Sequence, residues 1–158
     1  MRIEWVGEKI KISQKCLIKK CVKATLKELE QITNIVICVN CVDSHEMREL
    51  NNRMRGIDKV TDVLSFPSET LVPFEKVTLN SSESRDLIFG GNLFLGDMAL
   101  CMDEIKRQAV EYGETENKVL ARLVIHSVLH LLGFDHIKDE DHEVMEPIQN
   151  KILSKIVK

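Results

Sequence analysis

Residues 126–136 have the sequence His-Ser-Val-Leu-His-Leu-Leu-Gly-Phe-Asp-His, and the rest of the chain is best interpreted outward from this stretch. Histidines four positions apart lie one above the other on the same face of a helix. A glycine ends a helix readily, because it enters the left-handed conformation without a penalty from Cβ. The chain can then turn back, so His126, His130 and His136 are predicted to converge. Three imidazoles with an open fourth position are typical of a catalytic zinc site.

The same spacing occurs in the metzincin proteases, whose signature is H-E-x-x-H-x-x-G-x-x-H. In those enzymes the residue after the first histidine is a glutamate that acts as general base. Ser127 occupies that position here, and a serine hydroxyl does not accept a proton near neutral pH. The pattern therefore predicts a zincin-like metal helix without the base of a protease. His45 and His142 lie in charged segments off this spacing, and we interpret both as solvent-exposed.

The composition is that of one compact domain spanning residues 1–158. The chain is 44% hydrophobic and only 4% aromatic, so its core is expected to be aliphatic. No apolar run approaches the roughly 20 residues that a membrane helix needs, and the N-terminus has no signal-peptide pattern. Five cysteines, an odd number, favour free thiols in a reducing compartment, and we expect a cytoplasmic protein that does not bind membranes.

Cys38 and Cys41 form a C-x-x-C pattern, but they lie in a segment that is predicted to be a buried strand. Residues three apart in a strand point to opposite faces. We therefore interpret these two cysteines as small core side chains rather than as a metal or redox pair.

The overall charge does not indicate a nucleic-acid-binding protein. The formal net charge is −3 and the isoelectric point is near 6.0. Binding requires only a local basic surface, however, and Arg48, Arg53, Arg55 and Lys59 lie close together in the sequence. A solvated helix face is a sufficient explanation for Arg48 and is an alternative for Arg53.

The order of predicted elements mixes helices with strands, which is typical of a small α/β or α+β domain with one sheet. Asp43 and Thr115 are expected to cap helices, Asp139 is expected to cap the last helix, and Pro147 should bend that helix or mark its boundary. The predicted strands cover residues 1–6, 34–42 and 61–66 and two short pieces within 87–101. The predicted helices cover residues 13–31, 43–54 and 103–112, the segment after Thr115 and the segment after Asp139, with a surface loop over 67–85.

Three blocks of the sequence resemble the YbeY family. Residues 126–136 are similar to its H-G-x-L-H-L-x-G-Y-D-H motif, and residues 55–67, RGIDKVTDVLSFP, are similar to its R-x-x-D-K-P-T-D-V-L-S-F-P segment. Residues 95–97, Leu-Gly-Asp, are similar to its L-G-D strand. The blocks have the right order and span nearly the whole chain. Ser127 replaces a glycine and Val60 replaces a proline, and neither departure removes a ligand.

The resemblance implies a metal-dependent, single-strand-specific endoribonuclease, a hydrolase that acts in 16S rRNA maturation, in processing of its 3′ end and in ribosome quality control. It implies a mixed sheet of about four strands flanked by helices. It implies that His126, His130 and His136 are the ligands of one divalent metal ion, most simply Zn²⁺. It also implies that Arg55 is the family's functional arginine. The implied partners are single-stranded or ribosomal RNA and the small ribosomal subunit.

The chemistry of phosphodiester cleavage agrees with these residues. Negative charge develops on the phosphoryl oxygens, and a guanidinium such as that of Arg55 contacts two of them at once. Lys59 is placed to contact a neighbouring phosphate. Asp135 is a weaker candidate, either as a base or as a residue that orients a ligand imidazole.

Two alternatives use the same histidines. One is a metal-dependent hydrolase of a peptide or small molecule, and the other is a non-catalytic ribosome-associated factor with a structural metal. A structural zinc is normally closed by a fourth protein ligand. No cysteine lies near residues 126–136, which favours an open site, although Asp135, His142 or another residue could supply the fourth ligand.

Overall fold

A computed structural model describes residues 1–7, 10–78, 88–134 and 139–157, with only the backbone of Phe89 and of residues 139–143. Within these residues the chain forms five strands and five helices. The strands are β1 (Arg2–Gly7), β2 (Ile35–Val42), β3 (Val63–Pro67), β4 (Ile88–Phe89) and β5 (Asn92–Cys101). The helices are α1 (Ile12–Glu28), α2 (Ser44–Arg55), α3 (Met102–Tyr112), α4 (Glu116–Leu131) and α5 (Asp139–Ile156).

The strands form one mixed sheet in the order β1-β2-β5-β3, with the short β4 also paired to β5. β1 and β5 are both parallel to β2, whereas β3 and β4 run antiparallel to β5. The prediction of a mixed sheet flanked by helices is confirmed, and the strand beyond the expected four is the two-residue β4. Along β3 the register pairs Ser65 with Met98 and Pro67 with Gly96, so β3 lies at the sheet edge opposite β1.

The two faces of the sheet are covered unequally. Side chains of one face, such as Ile37, Val39 and Leu100, join a large aliphatic core with helices α1, α3, α4 and α5. The other face contributes Leu64 and Ala99 to a small cluster beneath α2. Period-two alternation along the strands separates the two clusters. As a result α4, which carries the paired histidines, lies between α1 and β3 within the large core.

The helix caps agree with the sequence patterns. The Asp43 side chain accepts a hydrogen bond from the backbone N–H of Glu46 at 2.8 Å, and Thr115 accepts one from Lys118 at 3.2 Å. Helix α5 continues through Pro147, so the proline does not mark its boundary, and the alternative of a bend at Pro147 remains a prediction. The side chains of Asp139 and His142 lie outside the described part of the structure, so the cap by Asp139 and the exposure of His142 remain predictions.

All five cysteines are free, as expected. Cys38 is half-buried and Cys41 fully buried on opposite faces of β2, which excludes a bond between them without rearrangement. Burial raises the pKa of the Cys21 thiol to about 12, so this group is an inert core residue. No helix among the described residues combines the length and the apolar character needed to cross a membrane.

Candidate active site

The imidazoles of His126 and His130 face each other across one turn of α4. Their Nε2 atoms are 3.1 Å apart, and their ring centroids are 4.6 Å apart with an interplanar angle of 76°. In a tetrahedral zinc site with bonds of about 2.0–2.1 Å, two ligand nitrogens are separated by about 3.3 Å. The observed separation therefore suits two ligands of one ion, and the geometry of this pair fits the predicted metal.

The outer nitrogen of His126 has a partner on a different helix. Its Nδ1 lies 3.0 Å from Oε1 of Gln149 in α5. An amide oxygen only accepts, so Nδ1 carries the proton and Nε2 is left with its lone pair directed at His130. Partners of this kind orient metal-binding imidazoles and make them more basic. Gln149 follows His126 by 23 residues and belongs to neither sequence motif, which is why the sequence did not reveal it.

The end of α4 is a Schellman motif centred on Gly133. The backbone N–H of Gly133 donates to the carbonyl of His130 at 3.0 Å, and that of Phe134 donates to Leu129 at 3.1 Å. Gly133 has φ of +87°, and a Cβ there would lie 2.0 Å from the carbonyl oxygen of Leu71. The glycine is thus required twice, for the left-handed turn and for the close approach of the loop after β3.

A cleft of about 620 Å³ opens beside His130, between the end of α4 and the loop after β3. Arg55 and His130 both line it, which places the predicted functional arginine and one predicted ligand on the same cavity. The remaining lining residues are Ser65, Pro67, Ser68, Glu69, Thr70, Leu71, Gly133 and Phe134. The cleft thus combines a cation, hydroxyl groups and an apolar wall, as sites for polar organic ligands do.

Arg55 is the last residue of α2, and its side chain is exposed. No described residue forms an ion pair with it. Arg48, by contrast, binds Asp58 through two hydrogen bonds of 2.6 Å, which lower the pKa of the Asp58 carboxyl. Arg48 therefore holds the loop after α2 in place, whereas Arg55 lines the cleft.

Much of the segment after Arg55 has a structural role. The amide of the buried Asn51 donates to the backbone carbonyl of Lys59 at 2.8 Å. Asp62 accepts hydrogen bonds from the Val63 backbone and from Gln108, both at 2.8 Å, so it ties the start of β3 to α3. Lys59 is exposed and is not among the residues that line the cleft. Its predicted contact with a phosphate remains a prediction.

Ser127, at the position of the metzincin general base, does not reach open space. It is fully buried, and its hydroxyl accepts a hydrogen bond of 2.8 Å from Ser65 in β3. The reason is helix geometry, since successive residues point about 100° apart and position 127 faces the sheet. Ser127 therefore anchors α4 to the edge strand.

The remaining predicted site residues lie outside the described part of the chain. Asp135 and His136 lie in the segment 135–138, outside the described residues. Among the described residues alone, no group of three or more His, Cys, Asp or Glu side chains is placed to hold a metal. The structure thus contains two of the three predicted ligands, and His136 remains a prediction.

The loop wall of the cleft carries an aromatic pair that the sequence did not suggest. Phe74 packs edge-to-face on Phe134 with ring centroids 4.9 Å apart, although 60% of its surface is exposed. The residues that follow Phe74 are hydrogen-bonded to Gln31. The Gln31 side-chain amide donates to the Glu75 carbonyl and accepts from the Val77 N–H, both at 2.9 Å. This part of the predicted surface loop is therefore tied to the body of the protein.

Comparison with known proteins places this geometry in a family. The model of endoribonuclease YbeY matches residues 3–157. An endoribonuclease YbeY from Caldanaerobacter subterraneus subsp. tengcongensis is 36% identical over 142 residues, which cover 89% of this chain and 85% of that protein. One from Clostridium tetani is 38% identical over 143 residues, with coverages of 87% and 84%.

A solved structure has the same fold. The solution structure of TM1509 from Thermotoga maritima superposes with a TM-score of 0.64 at 28% identity, covering 98% of this chain and 88% of that one. The match of the family model over nearly the whole chain agrees with the three sequence blocks and with the cleft that two of them line. The chain belongs to the endoribonuclease YbeY family.

Proposed function

We propose that this protein is a metal-dependent endoribonuclease that cleaves single-stranded RNA at the cleft between α4 and the loop after β3. The observation that carries the proposal is the convergence of the His126 and His130 Nε2 atoms, 3.1 Å apart, beside a cleft that Arg55 also lines. A pair of imidazoles and a guanidinium on one cavity matches the needs of a phosphodiester, which has one reacting phosphorus and several charged oxygens.

The metal would be one divalent ion, most simply zinc, held by His126 and His130 together with His136. Zinc would supply Lewis-acid polarisation of a phosphoryl oxygen and would lower the pKa of water to about 7. The protein's part begins with Gln149, which holds the His126 ring so that Nε2 faces the site. The Schellman turn at Gly133 ends the helix three residues before His136, the proposed third ligand.

Arg55 would bind and orient the scissile phosphate. Arg55 is exposed, lines the cleft and has no ion pair with a described residue, so its guanidinium can form two hydrogen bonds to phosphoryl oxygens without first breaking an ion pair. Such a contact strengthens as negative charge develops on those oxygens, which lowers the barrier. Lys59, exposed four residues further along, is proposed to contact a neighbouring phosphate.

The proposal also names the RNA substrate and the partner. We propose small-subunit ribosomal RNA, cut near its 3′ end during maturation, as the substrate, and the small ribosomal subunit in the cytoplasm as the partner. The family membership of the chain supports this assignment. Its test is accumulation of 16S rRNA with an extended 3′ end in cells that lack the protein, reversed by the wild-type chain but not by an Arg55→Ala variant.

The activity is tested by incubating the zinc-loaded protein with single-stranded RNA, duplex RNA and casein. We expect cleavage of the single strand alone, loss of that cleavage on chelation, and recovery with added zinc. His130→Ala should abolish it, because fewer imidazoles hold the ion less tightly. Cleavage of casein that is lost in His130→Ala would establish the peptide hydrolase alternative instead. Zinc binding with no cleavage of any RNA would favour the non-catalytic factor.

A further inference from the structure

A row of lysines runs along the exposed side of α1. Lys15, Lys19, Lys23 and Lys27 follow one another at intervals of four residues, so neighbouring side chains lie about 6 Å apart along the helix axis. Lys19, Lys23 and Lys27 are exposed, and Lys15 lies over the ring of Trp5 at 4.9 Å. We call these four residues the lysine ridge.

The ridge has almost no acidic partners. α1 contains five lysines and one acid, Glu28. Glu28 is bound by Lys151 and Lys155 of α5, each at 2.6 Å, so it faces away from the ridge. Within the described residues, Lys19, Lys23 and Lys27 form no ion pair.

Lysines elsewhere in the described chain are often paired. Lys76 contacts Glu30 at 3.2 Å, Lys106 contacts Asp103 at 3.5 Å, and Lys118 contacts Glu114 at 2.7 Å. A protein with a formal net charge of −3 has more than enough carboxylates to neutralise a surface helix. The ridge is therefore a local concentration of positive charge.

This arrangement opposes helix stability. Like charges four residues apart destabilise a helix by a few tenths of a kcal/mol per pair, and the ridge contains three such pairs in succession. The repulsion falls when an anion with several charges lies along the row. A polyanion with regularly spaced charges gains most from it, because each ammonium then meets its own anionic group.

The buried side of α1 argues against a membrane surface as that polyanion. Ile18, Val22 and Leu26 are each at most 1% exposed and pack in the large core. Helices that lie in a membrane interface need a free apolar face beneath the basic one. α1 has none along the ridge, so the ridge presents charge alone.

We propose that the lysine ridge is a second RNA-binding surface, which holds the phosphate backbone of substrate RNA that extends beyond the cleft. The proposal rests on the proposed function, since it takes RNA as the substrate. α1 packs against α4, whose C-terminal end forms one wall of the cleft. The ridge and the cleft thus belong to neighbouring helices, so one extended RNA chain can contact both surfaces.

The test measures RNA affinity as a function of salt for the triple variant Lys19→Gln/Lys23→Gln/Lys27→Gln. Each phosphate contact contributes about 0.7 to the slope of log K against log salt for a single strand. We expect the variant to lower the slope for a long unstructured RNA by about 2, and to weaken binding at low salt by about tenfold or more. Cleavage of an oligonucleotide too short to leave the cleft should be unchanged.

The matched control is Lys76→Gln/Lys106→Gln/Lys118→Gln, which removes the same charge from lysines that are already paired. Its slope should equal that of the wild type, and circular dichroism should show both variants folded. Equal slopes in the ridge variant and the wild type would overturn the proposal, as would equal losses in both triple variants. So would a ridge variant that loses binding to phosphatidylserine vesicles but not to RNA. Failure of the wild type to cleave any RNA would refute the proposed function, while the slopes would still decide whether the ridge binds RNA.

Discussion

The Nε2 atoms of His126 and His130 lie 3.1 Å apart, each directed at the other from successive turns of α4. At this distance the two nitrogens are hydrogen-bonded to each other when one of them carries a proton, and they are also close enough to bind one metal ion. The Nδ1 of His126 already donates to Gln149. The Nε2 of His126 therefore presents its lone pair towards His130, and a contact from another helix fixes this orientation.

Gln149→Ala should weaken zinc binding by about 10–100-fold while leaving the fold intact. The variant removes the acceptor of the His126 Nδ1 proton, so the ring is free to rotate and to change tautomer. Zinc affinity is measured by competition with a chromophoric chelator. Gln149→Glu keeps an oxygen acceptor and should restore most of the affinity. Asn150→Ala, at the exposed neighbouring position of α5, is the control. Equal affinities for Gln149→Ala and the wild type would show that the contact does not orient a ligand.

Arg55→Ala should reduce RNA cleavage by about 10²–10³-fold, the usual effect of removing one group that stabilises developing charge. Its stability should change by less than about 0.5 kcal/mol, because the side chain is exposed and has no ion-pair partner among the described residues. Arg53→Ala, also exposed on α2, should retain nearly full activity. Thermal unfolding and single-turnover cleavage measure the two effects. Parallel losses of stability and activity in Arg55→Ala would assign the residue a structural role.

Local patterns predicted most of the fold, because they act over a few residues. Asp43 and Thr115 cap the helices that their positions suggested, and Gly133 forms the left-handed turn that its place after His130 required. Pro147 does not end the helix, which was one of the two effects predicted for it. A proline inside a helix usually costs about 3 kcal/mol, yet α5 continues through it, and residues on either side of it, such as Met145 and Ile152, are buried in the core. Tertiary packing outweighed the local preference.

The site was predictable only as far as its motifs extend. The helical spacing of His126 and His130 placed both rings on one side, whereas the role of Gln149 depends on how α5 packs against α4. The division between Arg48 and Arg55 depends on where Asp58 lies after the turn at the end of α2. The burial of Ser127 follows from the pairing of α4 with β3. Each of these contacts joins residues that are distant in sequence or separated by a loop, and a single sequence carries no signal for them.

Ser127→Glu should destabilise the protein by at least about 2 kcal/mol, because a carboxylate would replace a hydroxyl at a position with no exposed surface. The larger group would also displace Ser65 from the wall of the cleft. Ser127→Ala should cost only about 1 kcal/mol, the value of one lost hydrogen bond. Urea unfolding measures the free energy of unfolding of each variant and so distinguishes the two losses of stability. A Glu variant as stable as the wild type would mean that position 127 does reach open space.

Gly133→Ala should be far more destabilising than Gly113→Ala, although both glycines follow a helix and have positive φ, +87° and +63° respectively. At Gly113 a Cβ meets nothing within 4 Å, so the cost is that of the left-handed backbone alone, about 1 kcal/mol. At Gly133 it would lie 2.0 Å from the Leu71 carbonyl oxygen, and either the loop or the end of α4 must move. Zinc affinity should fall in Gly133→Ala only. Similar melting temperatures for the two variants would contradict the close approach of the loop.

The ion pairs between Glu28 and α5 should make stability depend on pH in the acid range. Hydrogen bonds from Lys151 and Lys155 lower the pKa of Glu28 from 4.5 to about 2. A carboxyl with a lowered pKa contributes stability that is fully present above its ordinary pKa and is lost as the pH falls towards 2. Glu28→Gln should therefore melt at a lower temperature than the wild type at pH 7, and the difference should shrink between about pH 5 and about pH 2.

The control for Glu28 is Glu75→Gln, at an exposed position without an ion pair among the described residues. Its melting temperature should follow that of the wild type across the range. The measurement is thermal unfolding at a series of pH values in constant moderate salt, because screening weakens surface pairs. High salt at pH 7 should reduce the difference between the wild type and Glu28→Gln. A difference that is independent of both pH and salt would mean that Glu28 stabilises the contact between α1 and α5 through packing of its side chain and not through its charge.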